Sequence, residues 1–260
     1  MASLFDLHVH TTGGSPDSDL SPEEFIEEAR RLGLNGGLFS EHNGFPRHEF
    51  ERIAQQADDL VLINGIEFYT NYGHVLTIGI EGYSGGVIDI NVLREQVDKA
   101  NGFMILAHPF RFLFDPSGLY TRNILFEDPD NIPQTAEEAS THPVFEIIDE
   151  VEVVNGGNLQ EENRFAQGVV KVVGKKGTGG SDAHSTNGLA KGMTVFHGDI
   201  RNQEDLVEAL RAGAFTPVEN YHIGKTSLYG DSVEDVMPFL QSLDSYDAGP
   251  DQKETYGIAE

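Results

Sequence analysis

Two histidines near the beginning of the sequence have a spacing that suits metal binding. His8 and His10 are separated by one residue at the end of an apolar run, and a glycine-containing loop with two aspartates follows them. Side chains alternate along a strand, so both imidazoles are expected on the same side, with Cα atoms about 6 to 7 Å apart. Such a pair can bind one cation, and neutral imidazole and carboxylate groups suit Zn²⁺, Mn²⁺ or Fe²⁺.

Other candidate ligands share a position at or near an end of a predicted strand. The set comprises His42, Glu67, His74, His108, Glu152, Asp182 and His184. A carboxylate such as Glu67 can bridge two cations. Because the chain offers so many imidazole and carboxylate groups, the sequence predicts more than one divalent ion.

Strand-like and helix-like segments alternate along the chain. The predicted strands are 4–10, 36–40, 60–67, 74–80, 103–108, 151–154, 169–173, 179–182 and 193–196, and the predicted helices are 21–32, 47–56, 91–101, 159–167 and 203–212. This alternation predicts an α/β fold with a mainly parallel sheet, and the length of 260 residues suits a single barrel domain. In such a barrel the C-terminal ends of the strands meet on one face, so we expect the candidate ligands to meet there.

Local signals mark the ends of some elements. Ser21 is the expected N-cap of the first helix, with Pro22 at its first position, Glu24 closing a capping box and Gly33 ending it. Residues 111–149 have no clear periodicity and are predicted to form an irregular insertion with a short helix at 136–140. An acidic, polar tail over residues 229–260 is expected to be loosely attached.

Composition narrows the class of protein. The chain has 43 acidic and 17 basic residues, a formal charge of −26 and no cysteine. The negative charge disfavours nonspecific binding to nucleic acids or membranes and favours a solvated acidic surface of the halophilic kind. Bound divalent cations would still admit an anionic substrate. The absence of cysteine excludes disulfide-linked partners and thiolate ligands, and since no transmembrane run or cleavable leader is evident, a cytoplasmic protein is expected.

Six short motifs together resemble a known family. "DLHVHT", "SEHN", "NGIEF", "GHVL", "AHP" and "GSDAH" occur in the order and spacing of the PHP (polymerase and histidinol phosphatase) family of metal-dependent phosphoesterases, from about Phe5 to Pro217. The resemblance implies a distorted (β/α)7 TIM-like barrel over residues 1–228, with a site for two or three metals. One metal would be bound by His8, His10, Glu67 and Asp182, a second by Glu67 and His108, and a third by Asp17, His42 and His184.

The sequence departs from the family pattern at several positions. Ser15 stands where related phosphatases have the loop aspartate, so Asp17 is chosen as the ligand over Asp19 and Ser15. Ser40 and Glu41 replace the usual Thr-Asp before the histidine of the second motif. Asn155 stands where some members have a Cys or His ligand, which would weaken the second metal or leave water to complete it.

The chemistry expected of such a centre is phosphoester hydrolysis. A metal-bound hydroxide would attack phosphorus while the cations neutralise the remaining oxygens. Arg111 is a candidate for binding the phosphate, and His74 is a candidate for donating a proton to the leaving group. Nucleotides, other small phosphorylated metabolites and the 5′ ends of short nucleic acids all remain open as substrates.

Two other functions compete with the phosphoesterase. Amidohydrolases also begin with His-x-His on a barrel strand, but they usually add a bridging lysine, and no lysine ends a predicted strand here before Lys171. A metal-binding barrel with reduced catalysis is the other alternative. The remaining histidines are interpreted as surface or packing residues; they are His48, His142, His197 and His222.

Overall fold

The alternating segments form a curved ten-stranded sheet flanked by helices. The computed structural model describes residues 2–82, 86–114, 123–221 and 227–228. The strands are β1 (Ser3–Val9), β2 (Gly36–Glu41), β3 (Val61–Thr70), β4 (Gly73–Ile78), β5 (Phe103–Leu106), β6 (Glu150–Asn155), β7 (Thr178–Gly180), β8 (Gly192–Phe196), β9 (Phe215–Glu219) and β10 (Ser227–Leu228). The helices are α1 (Pro22–Leu32), α2 (Arg47–Ala54), α3 (Ile90–Lys99), α4 (Ala136–Ser140), α5 (Val144–Ile147), α6 (Gln160–Val173) and α7 (Gln203–Arg211).

Seven strands make a nearly closed barrel. β1 to β7 lie side by side in chain order, and the segment after β7 returns to the end of β1. There the Asp182 N–H donates to the His8 carbonyl at 2.8 Å, and the His10 N–H donates to the Ala183 carbonyl at 2.9 Å. The predicted distorted seven-stranded α/β barrel is therefore confirmed. β8 pairs with the first half of β1, on the edge opposite β2, and β9 and β10 extend the sheet from there.

The sheet is mixed rather than mainly parallel. The pairs β1–β2, β2–β3, β5–β6 and β6–β7 are parallel. β4 is antiparallel to both of its neighbours because a tight turn joins it directly to β3, with no helical crossover. The added strands β8, β9 and β10 also pair antiparallel. The β3–β4 hairpin brings the start of β4 to the same barrel end as the C-terminal ends of the parallel strands.

One strand prediction was wrong, and two strands, β9 and β10, were missed. Residues 169–173 form the last part of α6 and are not a strand. The β-branched run is deceptive, since Ala166, Val169 and Val170 are buried at helical spacing while Val172 is exposed. β9 was not predicted because Pro217 interrupts its apolar run.

The predicted helix ends are confirmed where they were specified. Ser21 accepts from the Glu24 N–H, the Glu24 carboxylate accepts from the Ser21 N–H, and Gly33 caps the C-terminus with φ of 73°. α4 matches the short helix predicted within the insertion 111–149, whose residues 115–122 lie outside the described part. The predicted tail 229–260 also lies outside it.

Three apolar clusters hold the helices against the sheet. One packs α1 and α2 on β1 and β2, and another packs α3 and α6 on β3 to β6. A third joins β1 to β5 with β8, β9 and α7. Within the described residues, none of the helices combines the length and the apolar character required to cross a bilayer.

Candidate metal centre

The predicted ligands converge at the barrel end where the parallel strands terminate. His8 is near the end of β1 and His10 follows it, His42 follows β2, Glu67 lies in β3, His74 is in β4, His108 follows β5, and Asp182 and His184 follow β7. The loop after β1 carries Asp17 to the same place. The fold thus brings together side chains that are far apart in sequence.

The opening histidine pair is oriented by hydrogen bonds at its other ring nitrogens. His8 Nδ1 lies 3.0 Å from Glu152 Oε1, and His10 Nδ1 lies 3.1 Å from Ser15 Oγ. Because the Ser15 hydroxyl donates to Glu41 at 2.6 Å, its oxygen is left to accept from His10. Both Nδ1 atoms are then protonated in the neutral rings, which places the lone pairs on Nε2.

These two Nε2 atoms face each other at only 3.0 Å. Asp182 Oδ1 lies 3.4 Å from Nε2 of His8 and 3.3 Å from Nε2 of His10. Two lone pairs at this distance repel unless a cation or a proton lies between them. The arrangement therefore fits a divalent cation bound by two imidazoles and a carboxylate.

Glu67 occupies the middle of the cluster. Its Oε1 lies 2.9 Å from His74 Nδ1 and 3.1 Å from His108 Nε2, and its Oε2 lies 3.1 Å from His42 Nδ1. It also lies within 3.6 Å of His8 Nε2. A carboxylate with both oxygens in contact with histidines on different sides has the position that a bridge between cations requires.

The loop after β1 supplies a carboxylate to a third group. Asp17 Oδ2 lies 3.1 Å from His42 Nε2 and 3.5 Å from His184 Nε2. The rings of His42 and His184 stack on His10, with centroids 4.3 and 4.4 Å away. Asp19 is exposed and contributes its N–H to the His184 carbonyl. Of the three loop candidates, Asp17 is thus the one whose carboxylate joins the histidines.

Among the residues that the structure describes, potential ligand atoms fall into three groups, each with atoms within 4.8 Å of one another. The groups are His8, His10 and Asp182; His8, Glu67 and His108; and His10, His42 and His184. They overlap in His8 and His10, so the centre is one continuous cluster. Imidazole nitrogen and carboxylate oxygen donors in this number suit divalent transition metals.

Comparison with known proteins agrees with the barrel fold. The family described as PHP-associated matches residues 160–215. A two-domain protein from Bacteroides vulgatus ATCC 8482, containing a predicted PHP-like metal-dependent phosphoesterase, is similar with a TM-score of 0.61 and 21% identity, over 84% of this chain and 64% of that chain. The chain therefore matches a PHP-associated family model over part of its length and shares the fold of a PHP-like protein. It spans less than two thirds of that two-domain relative.

Other structures share this fold under different descriptions. The lesion-specific endonuclease PfuEndoQ from Pyrococcus furiosus has a TM-score of 0.52 and 15% identity, over 88% of this chain and 58% of that chain. An amidohydrolase from Chromobacterium violaceum, with bound sulfate and no metal, has a TM-score of 0.50 and 13% identity, over 79% of this chain and 96% of that chain. No curated protein matches the sequence. At these identities the likeness shows the fold alone, so substrate chemistry has to be argued from the site.

The charges in the cluster balance one another. Burial alone would raise the pKa of Glu67 and Asp182, but the charge of His8, hydrogen bonds from neighbouring histidines and, for Asp182, the Arg111 guanidinium hold the pKa of both carboxyls well below its usual range. Burial alone would lower the pKa of His8, yet Asp182, Glu152 and Glu67 raise it well above its usual range. Burial lowers the pKa of His10 to about 4. Without a metal, the cluster thus holds ionised carboxylates, a neutral His10 and a protonated His8, and a bound cation would displace the proton of His8.

Arg111 lies at the edge of the cluster and is held by three oxygens. Its Nη2 donates to Asp182 Oδ2 at 2.5 Å and to Asn155 Oδ1 at 2.7 Å, and its Nε donates to Asn158 Oδ1 at 3.0 Å. The Asn155 amide in turn donates to Glu152 at 2.9 Å. Asn155, considered above as a weak substitute for a ligand, therefore positions Arg111 and Glu152.

Two candidate ligands have strained backbone angles, and one glycine beside the cluster has no room for a side chain. His108 and Asp182 have φ of 29° and 55°, in the left-handed region that non-glycine residues rarely adopt. Such strain persists where the surrounding structure imposes it, most often at functional sites. At Gly180 a Cβ would lie 2.4 Å from His8 Cβ and 2.8 Å from Glu152 Oε1, so only glycine leaves room for this pair.

Two buried acidic residues that hold the candidate ligands in place were not predicted from the sequence. Glu41 is buried and accepts from the Thr11 N–H and from the hydroxyls of Thr11 and Ser15. Asp6 is fully buried, accepts from the Ser181 N–H at 2.8 Å and ties β1 to the segment after β7. Burial raises the pKa of Asp6 to about 6. The available signal was an acidic residue inside or at the end of an otherwise apolar strand.

The histidines assigned to the surface or to packing remain outside the cluster where they are described. The His48 side chain is 82% exposed. The His142 ring packs edge-on against Tyr72 at 4.8 Å, and His197 Nε2 lies 2.9 Å from Thr216 Oγ1. His222 lies outside the described residues.

Proposed function

We propose that this protein is a metal-dependent phosphoesterase that hydrolyses phosphomonoesters of small molecules. The observation that carries the proposal is the convergence of five imidazoles and three carboxylates at the barrel mouth, with a guanidinium at its edge. An imidazole and carboxylate centre binds divalent cations, and a guanidinium in reach of it binds phosphate oxygens.

The residues present fit two or three ions of Zn, Mn or Fe. His8, His10, Glu67 and Asp182 would hold one, Glu67 and His108 a second, and Asp17, His42 and His184 a third. When bound, such cations lower the pKa of coordinated water and neutralise charge on phosphate oxygens. The donor distances above support this assignment, in which Glu67 is the shared ligand.

Arg111 and His74 would act on the substrate directly. Arg111 is preoriented by Asn155 and Asn158, and it would bind a non-bridging phosphate oxygen. His74 bonds Glu67 through Nδ1 and lines the adjoining cavity, so its other ring nitrogen is placed to give a proton to the leaving oxygen.

A small phosphomonoester is favoured over nucleic acid by charge. Nucleic-acid binding draws much of its affinity from basic residues that neutralise phosphates, whereas this chain has a formal charge of −26. The Lys171, Lys175 and Lys176 cluster does not offset this at the site, since Lys175 donates to the carbonyls of Ile148 and Asp149, before β6. Short nucleic-acid ends remain the second substrate class to test.

The amidohydrolase alternative is disfavoured by the identity of the central side chain. The position in contact with histidines on both sides is occupied by the carboxylate of Glu67. Lys175 bonds the carbonyls of Ile148 and Asp149 before β6, so it lies at the end of the barrel away from Glu67. Without a lysine at the bridge, the characteristic amidohydrolase arrangement is not formed.

The proposal is tested by metal content and by turnover. The purified protein is stripped of metal, reconstituted with Mn²⁺, Zn²⁺ or Fe²⁺, and assayed on phosphomonoesters, 5′-phosphorylated oligonucleotides, amides and lactones. We expect metal-dependent release of phosphate from small monoesters, with at least about a hundredfold loss for His108→Ala and no loss for the exposed control His48→Ala. Binding of metal without turnover of any phosphomonoester would overturn the proposal, and turnover restricted to amides or lactones would favour the alternative.

A further inference from the structure

A cavity of about 620 Å³ opens beside the metal centre. It lies between the start of β4, the segment after β5 and residues 123–127, and it shares His74, His108 and Arg111 with the centre. Its volume is in the range of sites that bury a small-molecule ligand. Since a phosphate group alone needs far less space, the cavity is large enough to hold the leaving group of a substrate.

The walls of the cavity are mainly apolar. The apolar and aromatic lining consists of Tyr69, Tyr72, Leu106, Phe112, Ile124 and Leu125. Asn123 contributes a side-chain amide to the lining, and this amide is hydrogen-bonded to the backbone of the surrounding loop. Its Nδ2 donates to the carbonyls of Pro109 and Arg111, and its Oδ1 accepts from the Phe126 N–H. The walls thus suit an apolar group better than one with several polar edges.

Two aromatic side chains at the cavity are unusually exposed. Tyr69 and Phe112 are each 41% exposed, and both line it. Phe112 is held with φ of 64°, and its N–H donates to Glu162 Oε1 at 2.5 Å. The exposed ring leaves apolar surface in water, and the left-handed backbone is strained. Both features are typical of a residue retained for binding.

The β3–β4 hairpin links these rings to the reacting end of the site. Tyr69 lies two residues beyond Glu67 on β3 and pairs with His74 on β4. The Tyr69 and His74 rings are 5.0 Å apart, and His74 in turn contacts Glu67 at 2.9 Å. A phosphate at the cluster and a ring beside Tyr69 would therefore be separated by one imidazole.

We propose that the preferred substrate is a phosphomonoester whose alcohol carries an aromatic hydrocarbon ring without polar edges, bound between Tyr69 and Phe112. This inference rests on the proposed function, because it names the leaving group for the same site. Glu127 at the cavity adds a negative charge that disfavours a second anionic group on the alcohol. The ring is bound by burial of apolar area and by aromatic contacts.

The test compares 2-phenylethyl phosphate with ethyl phosphate in the metal-loaded protein. Both release an alkyl alcohol of similar reactivity, so the ratio of their kcat/KM values reports binding of the ring. We expect a ratio of at least about ten in favour of the ring. Tyr69→Thr and Phe112→Asn should reduce the ratio to near one, since Thr keeps the strand preference and Asn tolerates positive φ. Val92→Ala, an exposed apolar residue on α3 outside the cavity, should leave the ratio unchanged.

Binding of 2-phenylethanol to the metal-free protein, measured by saturation-transfer NMR, separates the two proposals. Ring signals that are seen with wild type and lost with Tyr69→Thr and Phe112→Asn support the cavity assignment even if no phosphomonoester is hydrolysed. A ratio near one for wild type, equal ring binding by the variants, or faster hydrolysis of adenosine 5′-monophosphate than of 2-phenylethyl phosphate would overturn it.

Discussion

At the scale of single residues, the loop after β1 shows how one small substitution changes the roles of its neighbours. Ser15 carries no charge, and its hydroxyl bonds His10 and Glu41. The carboxylate that joins His42 and His184 comes from Asp17, two positions later. The sequence offered three candidates with similar spacing, because a loop position depends on backbone turns that residue types alone do not specify.

The loop carboxylate gives the first prediction. Asp17→Asn should lower the affinity for the weakest-bound metal at least about tenfold, because a neutral amide replaces a charged oxygen donor. Asp19→Asn removes the same charge from the same loop and should leave metal affinity unchanged. Metal titration with elemental analysis distinguishes the two, and equal effects of both variants would contradict the assignment of Asp17.

Glu152 supports a ligand without occupying a bridging position. It accepts from His8 Nδ1 and from the His108 N–H at 2.9 Å. Glu152→Gln should weaken metal binding by about 10- to 100-fold, as expected when the carboxylate that orients a metal-binding histidine is lost. Glu161→Gln, an exposed glutamate on α6, is the matched control. Unchanged metal affinity in Glu152→Gln would show that its bond to His8 does not orient the ligand.

At the scale of elements, the sequence predicted those segments whose periodicity and end signals agree. α1 was predicted within one residue because Ser21, Pro22 and Gly33 mark both ends. The run 169–173 was mistaken for a strand because Val-rich composition outweighed the helical spacing of its buried residues. The order of strands around the barrel, and the antiparallel β4, depend on packing between distant segments and could not be read from local patterns.

The capping box of α1 gives a prediction with a defined pH dependence. The Ser21 hydroxyl and N–H donate to Glu24 and lower the pKa of that carboxyl below its usual value of 4.5. Because this pKa is lower in the folded state, the ionised carboxylate stabilises the fold fully at pH values above 4.5. The contribution is lost as pH falls through the lowered pKa of the folded state. Ser21→Ala should reduce the free energy of unfolding by about 1 kcal/mol at pH 7 and by less near pH 4, measured by urea denaturation. Ser21→Asp should retain the cap, and an equal loss in both variants would contradict this explanation.

The contact between β7 and β1 gives a prediction about packing. Gly180→Ala would place a Cβ 2.4 Å from His8 Cβ and should destabilise the fold by about 1 to 3 kcal/mol while displacing His8. Gly198→Ala has nothing within 4 Å of its new Cβ and is the control. Thermal unfolding and metal affinity together test this prediction. Displacement of His8 should weaken metal binding in the same variant that lowers the stability of the fold. A stable Gly180→Ala protein with normal metal binding would contradict the packing argument.

At the scale of the whole molecule, the sequence specified the barrel and the clustering of the candidate ligands more completely than it specified the substrate. Six motifs at strand ends sufficed for the centre, since the barrel brings strand ends together whatever their separation in sequence. The cavity, by contrast, is built by Tyr69, Phe112 and residues 123–127, which come from a hairpin and an irregular insertion. No periodicity relates these segments, so their meeting was not predictable.

The net charge leads to the last prediction. With 43 acidic against 17 basic residues, carboxylates repel one another over the surface, and this repulsion is screened within about 3 Å at 1 M salt against about 10 Å at 0.1 M. The melting temperature should therefore rise as KCl increases from 0.1 to 2 M.

Salt also stabilises many proteins by other means, so a variant is needed to isolate the electrostatic part. The triple variant Glu27→Gln, Glu161→Gln, Glu208→Gln removes three exposed charges from α1, α6 and α7. It should melt at a higher temperature than wild type at 0.1 M KCl, and the difference should vanish at 2 M. A difference that persists at high salt would mean that repulsion among surface carboxylates does not limit the stability of this barrel.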